Sequence, residues 1–185
     1  MAGGAPAAAL LVGADGWVAA ARHVPSAHCD ARPAGCAIEL LVLHCISLPP
    51  GIHGGDAIEQ LFTGRLDPAA HPYYAGLGAG RVSAHFLIDR GGALTQFVSC
   101  RDRAWHAGAS QWRGRERCND FSIGIELEGS EFEPYTDAQY ARLQALQAAL
   151  WAAYPVRAAR GHSEVAPLRK RDPGPLFDWT RVRRD

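Results

Sequence analysis

The composition of this 185-residue chain indicates a globular protein of about one domain. Apolar residues make up 48% and charged residues 21%, which argues against a disordered chain and leaves enough apolar surface for one sizeable core. Nineteen basic and nineteen acidic side chains give a formal net charge of zero, so the chain has no overall basic bias towards nucleic acid or an anionic membrane. We therefore expect neither nucleic acid nor a membrane as a partner.

The cysteines and the N-terminal segment both bear on the cellular compartment. The five cysteines are odd in number and form no CxxC pair, which favours a reducing compartment over a disulfide scaffold. No apolar run is long enough to cross a bilayer. Residues 1–15 are Ala-rich and lack the basic residues that begin a secretory signal, so we interpret them as a weakly ordered tail before one domain at 16–185. These features predict a cytoplasmic protein.

The first half of the domain predicts a buried strand, a helix and a hairpin. Residues 37–44, AIELLVLH, form a continuous apolar run rich in branched side chains, which is typical of a buried strand. Residues 56–64 carry apolar side chains at helical spacing between an Asp N-cap and a Gly stop. The Gly pair at 91–92, between HFLIDR and ALTQFV, predicts a tight hairpin turn. Loops are expected at 45–55 and 67–80.

The second half predicts a long loop, a strand and a helix. Residues 99–120 are polar and poor in aliphatic side chains, so they indicate a long loop, and long loops inside compact domains are often functional. Residues 121–129, FSIGIELEG, alternate between apolar and polar side chains, as a strand does. Thr136 and Gln139 form a capping box for a helix that ends at Pro155, and loop follows. The fold class is therefore α/β or α+β, with one sheet packed by a few helices.

Two histidines and one aspartate could together bind a metal ion. His44 lies at the end of the buried run, and His162 and Asp172 bracket a loop rich in Pro, Gly and Lys. Two imidazoles and one carboxylate suffice for a catalytic zinc that keeps a fourth position for water. Spacing alone leaves other readings open, because His44 could be an ordinary half-buried histidine and Asp172 a turn residue before Pro-Gly.

Other side chains could carry catalysis. Glu126, on the polar face of the alternating strand, could be a general base, but Glu128 points the same way and both could lie on a solvated face. Lys170 could stabilise an oxyanion or could be a surface lysine. A nucleophilic pair of Cys45 with His44 is disfavoured, because adjacent strand residues point to opposite faces.

Several residues could bind a substrate. Trp105 could stack on a sugar ring or a peptide, although it could also be structural. Arginines could hold a carboxylate by bidentate hydrogen bonds or could be solvated, and the candidates are Arg81, Arg117 and Arg169. Two further histidines could bind substrate or belong to the core, namely His85 and His106.

Taken together, these segments resemble the zinc N-acetylmuramyl-L-alanine amidases of the AmpD type, the cytoplasmic 1,6-anhydro-N-acetylmuramyl-L-alanine amidases of Gram-negative bacteria. The resemblance runs in order from about Gly16 to Trp179. It implies a single domain with a central mixed β-sheet flanked by helices and zinc in a surface groove. The stretches that carry it are LHCISLPPG, LFTG, RVSAHFLI, RAWHAGAS, GRERCNDFSIGIELEG, YTDAQY, GHSEVAP and RKRDPGP.

The resemblance also assigns roles. The catalytic glutamate of the family falls on Glu126, not Glu128, and its catalytic lysine on Lys170. Its zinc ligands fall on His44, His162 and Asp172. Its substrate-contacting positions fall on Arg81, Trp105, Arg117 and Arg169.

The implied reaction is hydrolysis of the amide between the lactyl group of anhydro-muramic acid and L-Ala of the stem peptide, in peptidoglycan recycling. The resemblance implies one zinc per chain, with Glu126 taking a proton from the attacking water and Lys170 stabilising the oxyanion. It implies an anhydro-muropeptide as the small-molecule partner, and we expect a monomer. The chain departs from the family at Cys45, where Asn is usual, and at His53, where an aromatic or acidic residue is common. The Cys45 departure puts one substrate hydrogen bond in doubt.

Two alternatives stay open at this point. A periplasmic amidase that acts on intact murein would share the chemistry, but the free thiols and the lack of a signal speak against it. A peptidoglycan-binding module without catalysis would commonly have lost a zinc ligand. All three ligand positions are kept here, at His44, His162 and Asp172.

Overall fold

The computed structural model describes residues 9–77 and 80–185 and is built around one mixed β-sheet. The elements of the described chain are, in order, β1 Arg22–His23, β2 Cys29–Ala31, β3 Leu40–Ile46, α1 Ala57–Phe62, α2 Pro72–Gly76, β4 Phe86–Ile88, β5 Leu94–Gln96, β6 Asp102–Ala104, β7 Gln111–Trp112, β8 Arg115–Glu116, a 3₁₀ turn Cys118–Asp120, β9 Ser122–Glu128, α3 Asp137–Ala153, β10 Ala158–Gly161, α4 His162–Val165 and a 3₁₀ turn Trp179–Arg181.

The central sheet has six strands in the order β1-β5-β4-β9-β3-β10. The hairpin of β4 and β5 is antiparallel, whereas every other neighbouring pair in this sheet is parallel. Two small ribbons, β2 with β6 and β7 with β8, lie outside it. The prediction of an α+β domain with a central mixed sheet and flanking helices is confirmed.

Helix α3 covers one face of the sheet. Its predicted capping box is present, because the Thr136 hydroxyl accepts from the Gln139 N–H at 3.1 Å and the Gln139 amide oxygen accepts from the Thr136 N–H at 3.0 Å. The chain leaves the helix at Tyr154, just before Pro155. The apolar side chains that α3 buries against the sheet include Leu143, Leu146 and Leu150, which share a cluster with Leu41, Leu43, Ile123, Ile125 and Leu127.

The opposite face of the sheet is also buried. The sequence alone did not exclude that the polar face of β9 is exposed to solvent. Every residue of β9 is buried, including Ser122, Gly124 and Glu126. The predicted loop at 99–120 is wrong as a description of this region, because the segment contains β6, β7, β8 and a 3₁₀ turn. Its short elements form a layer over this second face.

Most local predictions of the first half are confirmed. The buried strand runs from 40 to 46, three residues later at its start than predicted, and α1 follows Asp56 as its N-cap. The hairpin turns at Gly92, whose φ is +81°. An added Cβ there would meet the carbonyl oxygen of Ala138 at 2.7 Å, so glycine is required.

Three further predictions need correction. Leu10 is buried in the main core and Val12 pairs with Val18, so the packed domain includes residues that we placed in the weakly ordered tail 1–15. Residues 1–8 lie outside the described residues. Helix α2 lies within the predicted loop 67–80, and β10 and α4 lie where the sequence indicated loop after α3.

None of the helices within 9–77 and 80–185 has the length and apolar character that crossing a bilayer requires.

Candidate active site

The parallel strands of the sheet bring distant residues to one edge. In the pairing of β3 with β9, His44 lies directly opposite Glu126. In the pairing of β10 with β3, Gly161 lies opposite Leu43, so His162 emerges at the level of His44. Ligand sites commonly form at the carboxyl ends of parallel strands, and this edge carries the predicted metal ligands.

Three potential ligand atoms meet at this edge. The Nδ1 atoms of His44 and His162 are 2.9 Å apart, and the Oδ2 atom of Asp172 lies 3.0 Å from each of them. Both histidines are buried, and Asp172 is half-buried on the loop after α4. The structure thus brings together the three residues that the sequence proposed as metal ligands, each with one ligand atom.

The second nitrogen of each histidine faces a protein group. The Nε2 of His162 lies 3.1 Å from the carbonyl oxygen of Ala107, which can only accept, so Nε2 carries the proton and Nδ1 presents a lone pair. The Nε2 of His44 lies 3.0 Å from Nδ1 of His106. Such partners orient metal-binding imidazoles.

The protonation states also fit a cation. Burial lowers the pKa of His44 to about 4, which leaves the imidazole neutral at pH 7. Burial acts to raise the pKa of Asp172, but hydrogen bonds from His162 and His44 outweigh it and hold the pKa well below its usual range. Neutral imidazoles and an ionised carboxylate are the forms that bind zinc, and two nitrogen donors with one oxygen donor fit a catalytic zinc.

The two candidate bases of β9 have different environments. Burial, followed by the nearby Asp172 charge, raises the pKa of Glu126 well above its ordinary value. Its Oε2 is buried and has no hydrogen-bond partner among the described residues. The Glu128 carboxylate accepts instead from the backbone N–H of Gly54 at 2.6 Å and of Arg90 at 3.1 Å. Glu126 is therefore available for chemistry, whereas Glu128 joins two loops.

A cavity of about 750 Å³ opens over this edge, which is large enough for a sizeable small molecule. Its lining includes the three candidate metal ligands, Glu126 and the half-buried Lys170. The residues along its apolar wall include Leu61, Tyr73, Leu77 and Val82. The predicted binding residues Trp105 and Arg169 also line it, whereas Arg81 and Arg117 are exposed and are not among the described lining residues.

Comparison with known proteins identifies the family. A family model described as N-acetylmuramoyl-L-alanine amidase matches residues 34–175. The chain belongs to the N-acetylmuramoyl-L-alanine amidase family. It is 58% identical over 171 residues, 91% of either chain, to the 1,6-anhydro-N-acetylmuramyl-L-alanine amidase AmpD of Citrobacter freundii. The AmpD of Escherichia coli is 56% identical over 91% of this chain and 93% of its own.

Solved structures agree with this membership. A crystal structure of a selenomethionine derivative of AmpD superposes on this amidase with a TM-score of 0.89, at 57% identity over 90% of this chain and 94% of that chain. The amidase AmiD of E. coli, in complex with the substrate anhydro-N-acetylmuramic acid-L-Ala-D-γ-Glu-L-Lys, superposes with a TM-score of 0.57 at 32% identity. That match covers 80% of this chain and 58% of the AmiD chain.

In this amidase, an ionic network holds Trp105 at the cavity rim. The indole Nε1 of Trp105 donates to Asp30 Oδ1 at 3.1 Å. Arg103 binds Asp30 through two nitrogens and also pairs with Asp120. Arg117 pairs with Asp120 at 3.2 Å, so it is linked to Trp105 through charged side chains although it lies off the cavity wall.

Arg169 is partly committed to the backbone of the amidase. Its Nη2 donates to the carbonyl oxygens of Ala107 at 2.6 Å and Ala109 at 2.9 Å. The side chain therefore ties the loop after α4 to the segment over β9. One guanidinium nitrogen of Arg169 thus has a structural role. The sequence alone could not distinguish this role from substrate binding.

The two departures from the family pattern lie in different surroundings. Cys45 packs towards the α3 side of the sheet, and burial raises the pKa of its thiol to about 12, so a thiolate paired with His44 is not supported. His53 lies on an exposed loop and pairs with Glu133 at 2.8 Å.

His85, which the sequence offered as a binding or core residue, is a core residue whose ring accepts from the Gly124 N–H at 3.0 Å.

Sequence reasoning does not find the groups that orient His44 and His162, the two candidate metal-binding histidines. His106 was singled out as a residue for binding or for the core, and the carbonyl of Ala107 was not considered. A backbone carbonyl leaves no signal in a single sequence.

Proposed function

We propose that this amidase is a zinc enzyme that hydrolyses the amide between the lactyl group of 1,6-anhydro-N-acetylmuramic acid and L-Ala of the stem peptide, in peptidoglycan recycling. The observation that carries the proposal is the cluster of His44, His162 and Asp172 beside an unpaired Glu126 in the lining of a cavity. The identity to AmpD enzymes over nine tenths of the chain supports the substrate. The anhydro-muropeptide bound by AmiD supports the substrate class.

The three ligand residues would hold the zinc. When bound, zinc supplies Lewis-acid chemistry, because it polarises a carbonyl group and makes water a better nucleophile at neutral pH. Glu126 stands opposite His44 in the sheet and takes the proton of the attacking water. It then passes the proton to the leaving amine, so the carboxylate is restored after each turnover.

Lys170 and Trp105 act on the substrate. Lys170 lines the cavity two residues before Asp172, where its ammonium group stabilises the negative charge that develops on the lactyl carbonyl oxygen. Trp105 presents an indole at the rim for the sugar ring. Arginine side chains bind the carboxylates of the stem peptide. The arginines proposed for this role are Arg81, Arg117 and Arg169.

We place the reaction in the cytoplasm. All five cysteines are free thiols, which suits a reducing compartment. A periplasmic enzyme acting on intact murein is the second candidate for location. A peptidoglycan-binding module without catalysis is disfavoured, because the ligand set and the buried carboxylate are both present.

The test is metal dependence of product release. Purified protein should hold about one zinc and release the stem peptide from an anhydro-muropeptide, and chelation should abolish the release until zinc is restored. Asp172→Ala should lose the metal and the activity, whereas Asp137→Ala, which removes an exposed carboxylate on α3, should keep both. Zinc binding without peptide release would favour the binding module, and release that survives chelation would contradict the zinc mechanism.

A further inference from the structure

On the buried polar face of the sheet, a further set of residues contacts the candidate metal ligands His44 and His162. His106, two residues after β6, contacts His44 through a 3.0 Å Nδ1–Nε2 distance. The Nε2 of His106 lies 3.2 Å from the hydroxyl of Ser122, the first residue of β9. The next residue, Ala107, contributes the carbonyl that faces His162. Two adjacent residues, His106 and Ala107, therefore contact one candidate metal-binding histidine each.

Metal binding at Nδ1 of His44 would set the direction of these hydrogen bonds. A neutral imidazole has one N–H donor and one acceptor nitrogen. If Nδ1 of His44 binds a metal, its Nε2 carries the proton and donates to Nδ1 of His106. His106 must then carry its own proton on Nε2, where the Ser122 hydroxyl accepts it. The chain of hydrogen bonds from His44 through His106 to Ser122 can therefore accommodate the His44 tautomer whose Nδ1 is free to bind a metal.

Two contacts hold this pair of residues in place. The side-chain oxygen of Asn119 accepts from the N–H of His106 at 3.3 Å and of Ala107 at 2.8 Å. The imidazole of His106 rests on Gly124, where an added Cβ would come within 2.4 Å of the ring. The position of His106 is thus set by β9 and by Asn119, independently of any metal.

We propose that His106 and Ala107 form an orienting element that presents Nδ1 of both His44 and His162 to the metal, with His106 as a positioning residue for His44. This inference rests on the proposed zinc site and assigns residues beyond its ligands. Removing such partners typically lowers metal affinity by about 10- to 100-fold.

The test compares two variants of His106 by zinc dissociation constants measured in competition with a chelator. His106→Ala removes the acceptor for the His44 N–H and should weaken zinc binding by about 10-fold or more. His106→Gln should recover most of the affinity, because its amide oxygen can accept the same hydrogen bond. Ser122→Ala should weaken zinc binding less. It removes the hydroxyl that accepts the Nε2 proton of His106, but it leaves Nδ1 of His106 in place to accept from His44.

His85→Gln is the matched control. His85 is a buried histidine whose ring lies edge-on to that of His106, with the ring centroids 5.8 Å apart. Its ring nitrogens contact Gly124, Asp102 and Arg32 and none of the three candidate metal ligands. Its substitution should lower thermal stability but leave the zinc dissociation constant within about threefold. An equal loss of affinity in the control would mean that any buried histidine here acts through folding, and would overturn the proposal.

A spectroscopic readout uses the unaltered protein. In zinc-loaded protein with ¹⁵N-labelled histidine, the Nε2 proton of His44 should show coupling across the hydrogen bond to Nδ1 of His106. A proton on Nδ1 of His106, or unchanged zinc affinity in His106→Ala, would overturn the inference while the proposed function stands. Wild-type protein that binds no zinc would overturn the proposed function and this inference together.

Discussion

At the scale of single residues, the two carboxylates of β9 differ in what surrounds them. Both lie on the same face of the strand, so alternation alone could not separate Glu126 from Glu128. The separation comes from the loops, because backbone N–H groups of Gly54 and Arg90 occupy the Glu128 carboxylate. Those loops are distant in sequence, and only the family resemblance favoured Glu126 beforehand.

Substituting the two glutamates should therefore give opposite results. Glu126→Gln should lower turnover by about 100-fold or more, the usual contribution of a general base, and should leave the zinc content unchanged. Glu128→Gln should keep most of the turnover and lose about 1 kcal/mol of unfolding free energy, because one partly buried N–H loses its carboxylate acceptor. Turnover, zinc content and denaturant unfolding of each variant check this. Full activity in Glu126→Gln together with loss of activity in Glu128→Gln would show the base assignment to be wrong.

At the scale of elements, the sequence predicted those with strong local signals. The capping box of Thr136 and Gln139 starts α3, and the Gly pair at 91–92 turns the hairpin. β10 was missed because its four residues, AARG, show no alternation and form a strand only through pairing with β3. The segment 99–120 was predicted as loop because its strands have two or three residues each, too few for a periodic pattern.

The rim network gives an element-scale prediction with a pH dependence. Hydrogen bonding to Arg103 lowers the pKa of Asp30, with a further contribution from Trp105. A lowered folded-state pKa stabilises the fold above the unfolded pKa, and that stabilisation is lost as the pH falls through the folded-state value. Asp30→Asn should therefore cost about 0.5–1 kcal/mol at neutral pH, a small value because the pair is partly exposed.

The cost of the substitution should shrink as the pH falls below about 3.9, the ordinary pKa of an aspartate carboxyl, and should vanish once the pH lies below the lowered folded-state pKa. Denaturant unfolding of both proteins in the presence of a chelator, over a series of pH values from neutral to strongly acidic, measures the difference. High salt should shrink the neutral-pH effect. A cost that is equal at all these pH values would show that the Asp30 charge does not stabilise this rim.

At the scale of the whole molecule, the site depends on the sheet order. The ligands and the base come from β3, β9 and the two segments after β10, and parallel pairing places them at one edge. The sequence supplied the residue types, but it could not supply their convergence, since no short motif spaces them. The buried polar face of β9 is a further consequence of tertiary packing, because the chain between β6 and β9 covers it.

Because the metal would bind only the folded arrangement, zinc should stabilise the whole domain. At free zinc about 100-fold above its dissociation constant, the expected gain is about 2.7 kcal/mol. For a domain of this size that corresponds to a rise in Tm of about 5–10 °C. Calorimetry with and without zinc checks this, and Asp172→Ala should remove the shift. A Tm that zinc leaves unchanged in the wild-type protein would contradict a preformed metal site.

The central claim is a zinc amidase for anhydro-muropeptides. The most direct measurement compares kcat/KM of the zinc-loaded protein for an anhydro-muropeptide and for its counterpart with a reducing-end N-acetylmuramic acid. The account predicts release of the intact stem peptide from both or from the anhydro form alone, with a clear preference for the anhydro form. Equal cleavage of the two, or cleavage of the reducing form alone, would contradict it.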